Sequence, residues 1–391
     1  MKHFITLENQ KFVNYLLYTA IVGLFISLNF QTVNHQFIYI SCEMIALFGI
    51  ARINRKWLKS DVFIRYYSFI IVWCIIVTLN SPVIKTSFKG LTHWLLPILL
   101  YVGLYSVDDL RERIIKILWV PTLIAFVQSV VLFQYFHYGL ESVQNNMLSN
   151  FFYFVNDEWP GKVFTSTINL CFIIFALSFI KHKTYRHTIV VINFLSGILT
   201  YDRAFFFSSV LVLLLYFFLE KYKPTRKLMI TCFLSVIGLI FFMAVSLHLL
   251  GIDLHYKERF AVYDYWLPKL LISPIFGTGV ELKSLQYILL NYPIPQKLLE
   301  IDKGMLYHSH NMFIDIALTQ GFVGLFLFIL LIYKMNQNVI CLNGRYRFTA
   351  LYVCMAIFTK FMVDDRFDSH NMIVFWFFIL SAYVIGQREL K

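Results

Sequence analysis

The feature that most constrains this chain is a succession of apolar runs, many close to the length of a membrane-crossing helix, separated by short polar breaks. About 20 apolar residues in a helix cross the roughly 30 Å of a bilayer's hydrocarbon core. Such runs lie near 12–30, 37–51, 66–80, 88–105, 114–136 and 163–180, and again near 188–201, 204–219, 228–250, 311–333, 348–363 and 371–386. They predict an all-α, polytopic integral membrane protein of about twelve transmembrane helices. Composition points the same way, because 14% charged residues falls far below the roughly 25% of soluble domains. A water-soluble enzyme is thereby excluded. Residues 1–391 are read as a single transmembrane domain, and 12–30 as a retained helix, since further spans follow it directly.

Orientation follows from where Lys and Arg collect, because short cytoplasmic loops retain them. Most of the 34 basic residues fall in one alternating set of segments: the N-terminus, 52–65, 106–116, 181–187, 220–227, 334–347 and the C-terminus. Both termini are therefore expected in the cytoplasm. The net charge of +12 is a topology signal, and nucleic-acid binding is not expected. Two outside segments exceed turn length, 137–162 and 251–310. The second is rich in Tyr, Pro and Leu, too apolar for a linker, and is expected to fold on the membrane surface as short amphipathic helices. The six cysteines show neither a paired spacing nor a CxxC, so no disulfide framework and no metal site is indicated.

Three groups at the outer boundary could carry chemistry. His308-Ser309-His310-Asn311 opens the run that continues through Gly321 and Gly324. On a regular helix, position 321 lies about 20° and position 324 about 40° from the face of His310, and small residues there admit a close neighbour. An imidazole at a helix N-terminus suits acid/base work beside an anion; a polar helix start capped by Asn311 is the plain alternative. Arg203, in Thr200-Tyr201-Asp202-Arg203, either offers its planar fork to phosphate oxygens or pairs with Asp202 or lipid headgroups. Arg259 heads a stretch in which Phe260, Trp266, Leu267 and Leu270 or Leu271 recur at helical spacing, followed by a turn at Gly277 and Gly279. A headgroup contact is its plain reading. Asp364, Asp365 and Arg366 lie in the last outside loop; with Arg366 beside the acids, structural or acceptor contacts are preferred to a metal site.

These residues resemble the bacterial O-antigen ligase and O-antigen polymerase family. Its hallmark, a His followed by Asn, Ser or Gln, nine residues and Gly-x-x-Gly, is met by His310, Asn311, Gly321 and Gly324. Arg203 after Leu199-Thr200 looks like the family's first Arg, and Arg259 ahead of Pro274 to Gly279 looks like its second. Where the family often has Ser or Thr before the first Arg, this chain has Asp202, a carboxylate expected to offset part of Arg203's charge.

The resemblance implies an inner-membrane glycosyltransferase with its active site facing the periplasm and no cofactor or metal. The donor it implies is a glycan on undecaprenyl diphosphate, and the acceptor a hydroxyl of lipid A-core. The two arginines would hold the diphosphate, His310 would act as general base, and His308, Asn311, Asp202 and Arg366 would contact or orient substrate among the membrane lipids. The ligase of lipopolysaccharide assembly is favoured over the polymerase, whose acceptor is a second lipid-linked glycan. A transporter of lipid-linked sugars is the alternative of another class; it is disfavoured because Lys360 is the one deep basic residue in the pattern. The topology predicts that Cys substitutions at Tyr201, Asp302 and Asp368 are labelled by a membrane-impermeant thiol reagent applied to the periplasm. Substitutions at Lys56, Thr225 and Asn343 should stay unlabelled in intact cells, and the reverse pattern would invert the orientation.

Overall fold

A computed structural model describes residues 15, 16, 18–24, 44, 61–107, 109–144, 162–222, 262, 263, 265–292, 294, 308–340, 360 and 369–388. Among them all regular structure is helical and no strand occurs. The helices are α1 Val62–Asn80, α2 Ile84–Ser106, α3 Leu110–Ile117, α4 Trp119–Gln144, α5 Lys162–Phe179, α6 Lys183–Leu199 and α7 Arg203–Tyr222. They continue with two short 3-10 helices, Leu267–Leu271 and Leu282–Leu285, then α8 Gln286–Asn291, α9 Met312–Ile340 and α10 Ser369–Arg388. The apolar runs near 37–51, 228–250 and 348–363 lie almost wholly outside the described residues, and that near 12–30 is described only in part.

Among the described residues, three helical stretches are long and apolar enough to cross a membrane: Val62–Asn80, Leu110–Tyr138 and Met312–Gln337. Val163–Phe179, Arg203–Phe217 and Met372–Arg388 are shorter apolar helices. α5 and α10 are buried on nearly every side, as expected of helices that are apolar all round. α1, α7 and α9 instead turn large apolar side chains outward, among them Phe69, Leu79, Phe207, Phe217, Phe326 and Ile329. In water such faces would associate; lipid suits them.

The two ends of the bundle are tied differently. At one end, Asp61 caps α1 by accepting from the Ile64 N–H at 3.1 Å, and its other oxygen accepts from the Tyr101 hydroxyl at 2.8 Å. Arg388 closes α10 there by donating to the carbonyls of Val107 and Tyr105. α1 stops at Ser81 because Pro82 follows, and a residue before proline is pushed out of the helical region.

At the other end, the loop after Leu271 enters the hydrogen-bond ladder of α9. Gly321 has φ 72° and ψ 178°, so α9 is broken there. The Phe322 N–H, freed from its intrahelical partner, donates to the Pro274 carbonyl at 2.8 Å. The Leu318 and Thr319 carbonyls accept from Thr278 N–H and Gly279 N–H, each at 2.9 Å, and the Gln320 carbonyl from Trp73 Nε1 at 2.9 Å. Three successive carbonyls released by the kink are thus met from outside the helix, as burial requires. A Cβ on Gly321 would fall on the Ile275 carbonyl, and one on Gly277 on the Thr319 backbone.

Two sequence expectations change here. The angular argument placing His310 on one face with Gly321 and Gly324 assumed an unbroken helix that includes His310; α9 begins at Met312 and is interrupted at Gly321. The expected regular amphipathic helix through 260–271 is replaced, where described, by a brief helical turn and the 3-10 helix Leu267–Leu271. Pro268 lacks the N–H that a longer helix would need at that position. The loop nevertheless builds its own small core, in which Val262, Trp266, Leu285 and Ile288 pack against Leu318 of α9.

Candidate active site

The turn that leads into α9 is held by side chains. Asn311 is the helix cap, its Oδ1 accepting from the N–H groups of Phe313 at 3.0 Å and Ile314 at 3.3 Å. His310 stands just before it with φ 55°, a left-handed conformation that costs roughly 1 to 3 kcal/mol for a residue with a Cβ. Its own N–H donates to Nδ1 of His308 at 3.0 Å. Ser309 donates both its N–H, at 3.0 Å, and its hydroxyl, at 2.7 Å, to Oδ1 of Asp315. The two imidazoles lie with centroids 3.9 Å apart, their planes tilted by 38°. His308 is 1% exposed, whereas His310 is partly open.

The start of α7 is built on the same plan. Tyr201 has φ 54°, Asp202 caps the helix by accepting from Ala204 N–H at 2.9 Å and Phe205 N–H at 3.4 Å, and Arg203 is the first helical residue. The cap holds one carboxylate oxygen over the first turn. Its Oδ2 pairs instead with Lys360 and accepts the Ser166 hydroxyl. Arg203 is exposed and, among the described residues, has no hydrogen bond or ion pair. The expectation that Asp202 offsets Arg203 therefore gives way to an internal ion pair.

Burial alone would raise the Asp202 carboxyl's pKa. The Lys360 charge, with hydrogen bonds from Lys360, Ser166 and the Phe205 N–H, outweighs it and holds the carboxyl below its usual value. A depressed carboxyl stabilises the fold fully above its unfolded pKa of about 3.9 and loses that contribution as pH falls through the lower folded value. The Asp202 carboxylate is therefore ionised at neutral pH. Beside it, Tyr201 stacks on Phe133 at 6.0 Å, and its hydroxyl lies 3.1 Å from His137 Nε2.

Of the residues singled out in the sequence, the structure joins His308 with His310 and Gly277 and Gly279 with the kink at Gly321; a Cβ on Gly324 would meet Gln320 and Trp73. Arg259, Asp364, Asp365 and Arg366 lie outside the described residues. Among the described residues, no three His, Cys, Asp or Glu side chains gather in a metal-binding arrangement. The sequence reading passed over Asp315 and Ser166 and left Lys360 without a partner. An ionisable residue inside an apolar run calls for a partner, and that rule points to both Asp315 and Lys360.

The described fold is an all-helical membrane protein with an imidazole pair and a guanidinium presented by capped helix starts. Residues 188–329 match the family model described as O-Antigen ligase, which shows the resemblance to the O-antigen ligase and polymerase family. The matched stretch contains both helix starts and the interlock at Gly321. No curated protein matches the chain.

The pair at Asp202 generates a test. Lys360→Met should leave a buried carboxylate unpaired and destabilise the protein by about 3 to 5 kcal/mol. Adding Asp202→Asn should recover much of the loss, because no charge is then stranded. Thermal melts of the detergent-solubilised single and double variants check this; additive losses would show that the two side chains are not coupled.

Proposed function

We propose that the chain is an O-antigen ligase: it moves a glycan from undecaprenyl diphosphate to a hydroxyl of lipid A-core, with inversion and without a metal ion. In this reading it is a twelve-span inner-membrane protein with cytoplasmic termini and a periplasmic site. The observation that carries the reading is His310, strained into a left-handed turn and held there by its neighbours, within the stretch that matches the family. Strain of this kind persists where the surrounding structure over-determines it and is concentrated at functional sites.

His310 takes the proton of the acceptor hydroxyl as general base. The acceptor oxygen bonds to the sugar's anomeric carbon while the bond from that carbon to the diphosphate oxygen breaks, and the electron pair leaves with the diphosphate. Arg203 and Arg259 bind the diphosphate and stabilise its growing charge. The exposed guanidinium of Arg203 at the N-terminus of α7, with Asp202 engaged by Lys360, suits that role. His308 and Asp202 act from behind, through the groups they orient; Asn311 sets the cap, and Arg366 contacts the acceptor. The glycines hold the frame. A repeat-unit polymerase would share all of this except the acceptor, and the family match covers both.

In purified protein with excess EDTA, transfer should persist. His310→Ala should retain donor binding while turnover falls about 10² to 10⁴-fold, and Arg203→Lys should be nearly as damaging as Arg203→Ala because the bidentate fork is lost. Donor binding measured beside single-turnover rates checks both. If His310→Ala loses donor binding as fully as Arg203→Ala, the imidazole is a phosphate ligand and not the base. A deletion strain separates the acceptors: bare core with polymer left on the carrier lipid indicates the ligase, core plus one repeat the polymerase.

A further inference from the structure

Asp315 lies one turn inside α9, in an otherwise apolar run, and is 2% exposed. A carboxylate in that position is unfavourable unless partners surround it. Its Oδ1 accepts twice from Ser309. Its Oδ2 lies 3.4 Å from Nδ1 of His308 and, among the described residues, has no hydrogen bond. Ser309 and His308 are also the residues that define the His310 turn: one precedes it, and the other accepts its N–H and lies against its ring. The carboxylate thus sits beneath both supports of the same imidazole.

The chemistry gives this placement a purpose. When a base accepts a proton, a positive charge appears on its ring, and two imidazoles at 3.9 Å cannot both carry one without strong repulsion. A buried anion close to the pair favours the state with a single positive charge. A base is characteristically oriented by a third group.

Resting on the reading of His310 as general base, we propose that Asp315 is a positioning residue for it. Asp315 fixes the 308–310 turn through Ser309, and its negative charge, set against His308, stabilises the imidazolium formed on His310 as the acceptor proton arrives. Donor binding does not depend on it.

Asp315→Asn keeps the size and one accepting oxygen but removes the charge. It should lower kcat about 10- to 100-fold, less than loss of the base itself, with donor KM essentially unchanged. Asp315→Glu should recover most of the rate. A purely structural role would show as a lowered melting temperature without this split between kcat and KM. Full kcat in Asp315→Asn overturns the proposal. Should that variant fail to fold, Ser309→Ala and His308→Asn decide: reduced kcat at unchanged donor KM supports it, full kcat in both overturns it. His310→Ala separates the two layers of the argument. If it remains active, the base assignment itself fails; if it is inactive while Asp315→Asn is at the wild-type rate, only this inference falls.

Discussion

The end of the protein that carries the His310 turn depends on one exchange of backbone hydrogen bonds. Where Gly321 breaks α9, the helix gives up its own ladder and takes partners from the 274–279 loop and from Trp73. Backbone groups buried without partners are rare because each costs free energy comparable to a lost hydrogen bond. The kink and the docked loop therefore exist together or not at all. The first turns of α9, and with them Asp315 and the His310 turn, are fixed relative to α1 and α2 through that loop: Ser81 donates to the Thr278 carbonyl at 2.7 Å, and the Val280 N–H donates to Ser87 at 2.9 Å.

The two helix starts share a construction that explains how a strained residue can be held stably at a helix start. A left-handed residue, an Asx cap and a first helical residue follow one another at 201–203 and again at 310–312. In each case the cap engages the free N–H groups of the first turn, beside the candidate side chain, Arg203 or His310. The carboxylate of Asp202 is drawn inward to Lys360 in the same movement. A ligand anion approaching Arg203 meets a guanidinium that is not already neutralised by its neighbour.

Much of this was legible in the sequence, for definite reasons. Helix positions follow hydropathy, so α1, α2, α5 and α10 fall within a few residues of the expected runs. The glycines at 277, 279 and 321 could be singled out, yet their purpose could not: a helical wheel assumes an unbroken helix, and a positive φ at Gly321 is a tertiary decision made by the loop that docks on it. The partner of Asp202 is not legible from adjacency, which suggests a pair with Arg203, whereas the carboxylate caps its own helix and pairs with Lys360. Lys360 and Asp315 are solitary charges in apolar runs. The sequence shows that each needs a partner but not which, because the partner of Lys360 lies 158 positions away.

The most direct test of the account is the stoichiometry and stereochemistry of a single reaction. Purified protein in lipid vesicles is supplied with a polyprenyl diphosphate-linked glycan and a core acceptor, and released polyprenyl diphosphate is counted against new glycosidic bonds. The account predicts one diphosphate released per bond formed, with the anomeric configuration of the transferred sugar inverted. Passage of the intact lipid-linked glycan across the bilayer with no bond broken, or transfer with retained configuration, would contradict it.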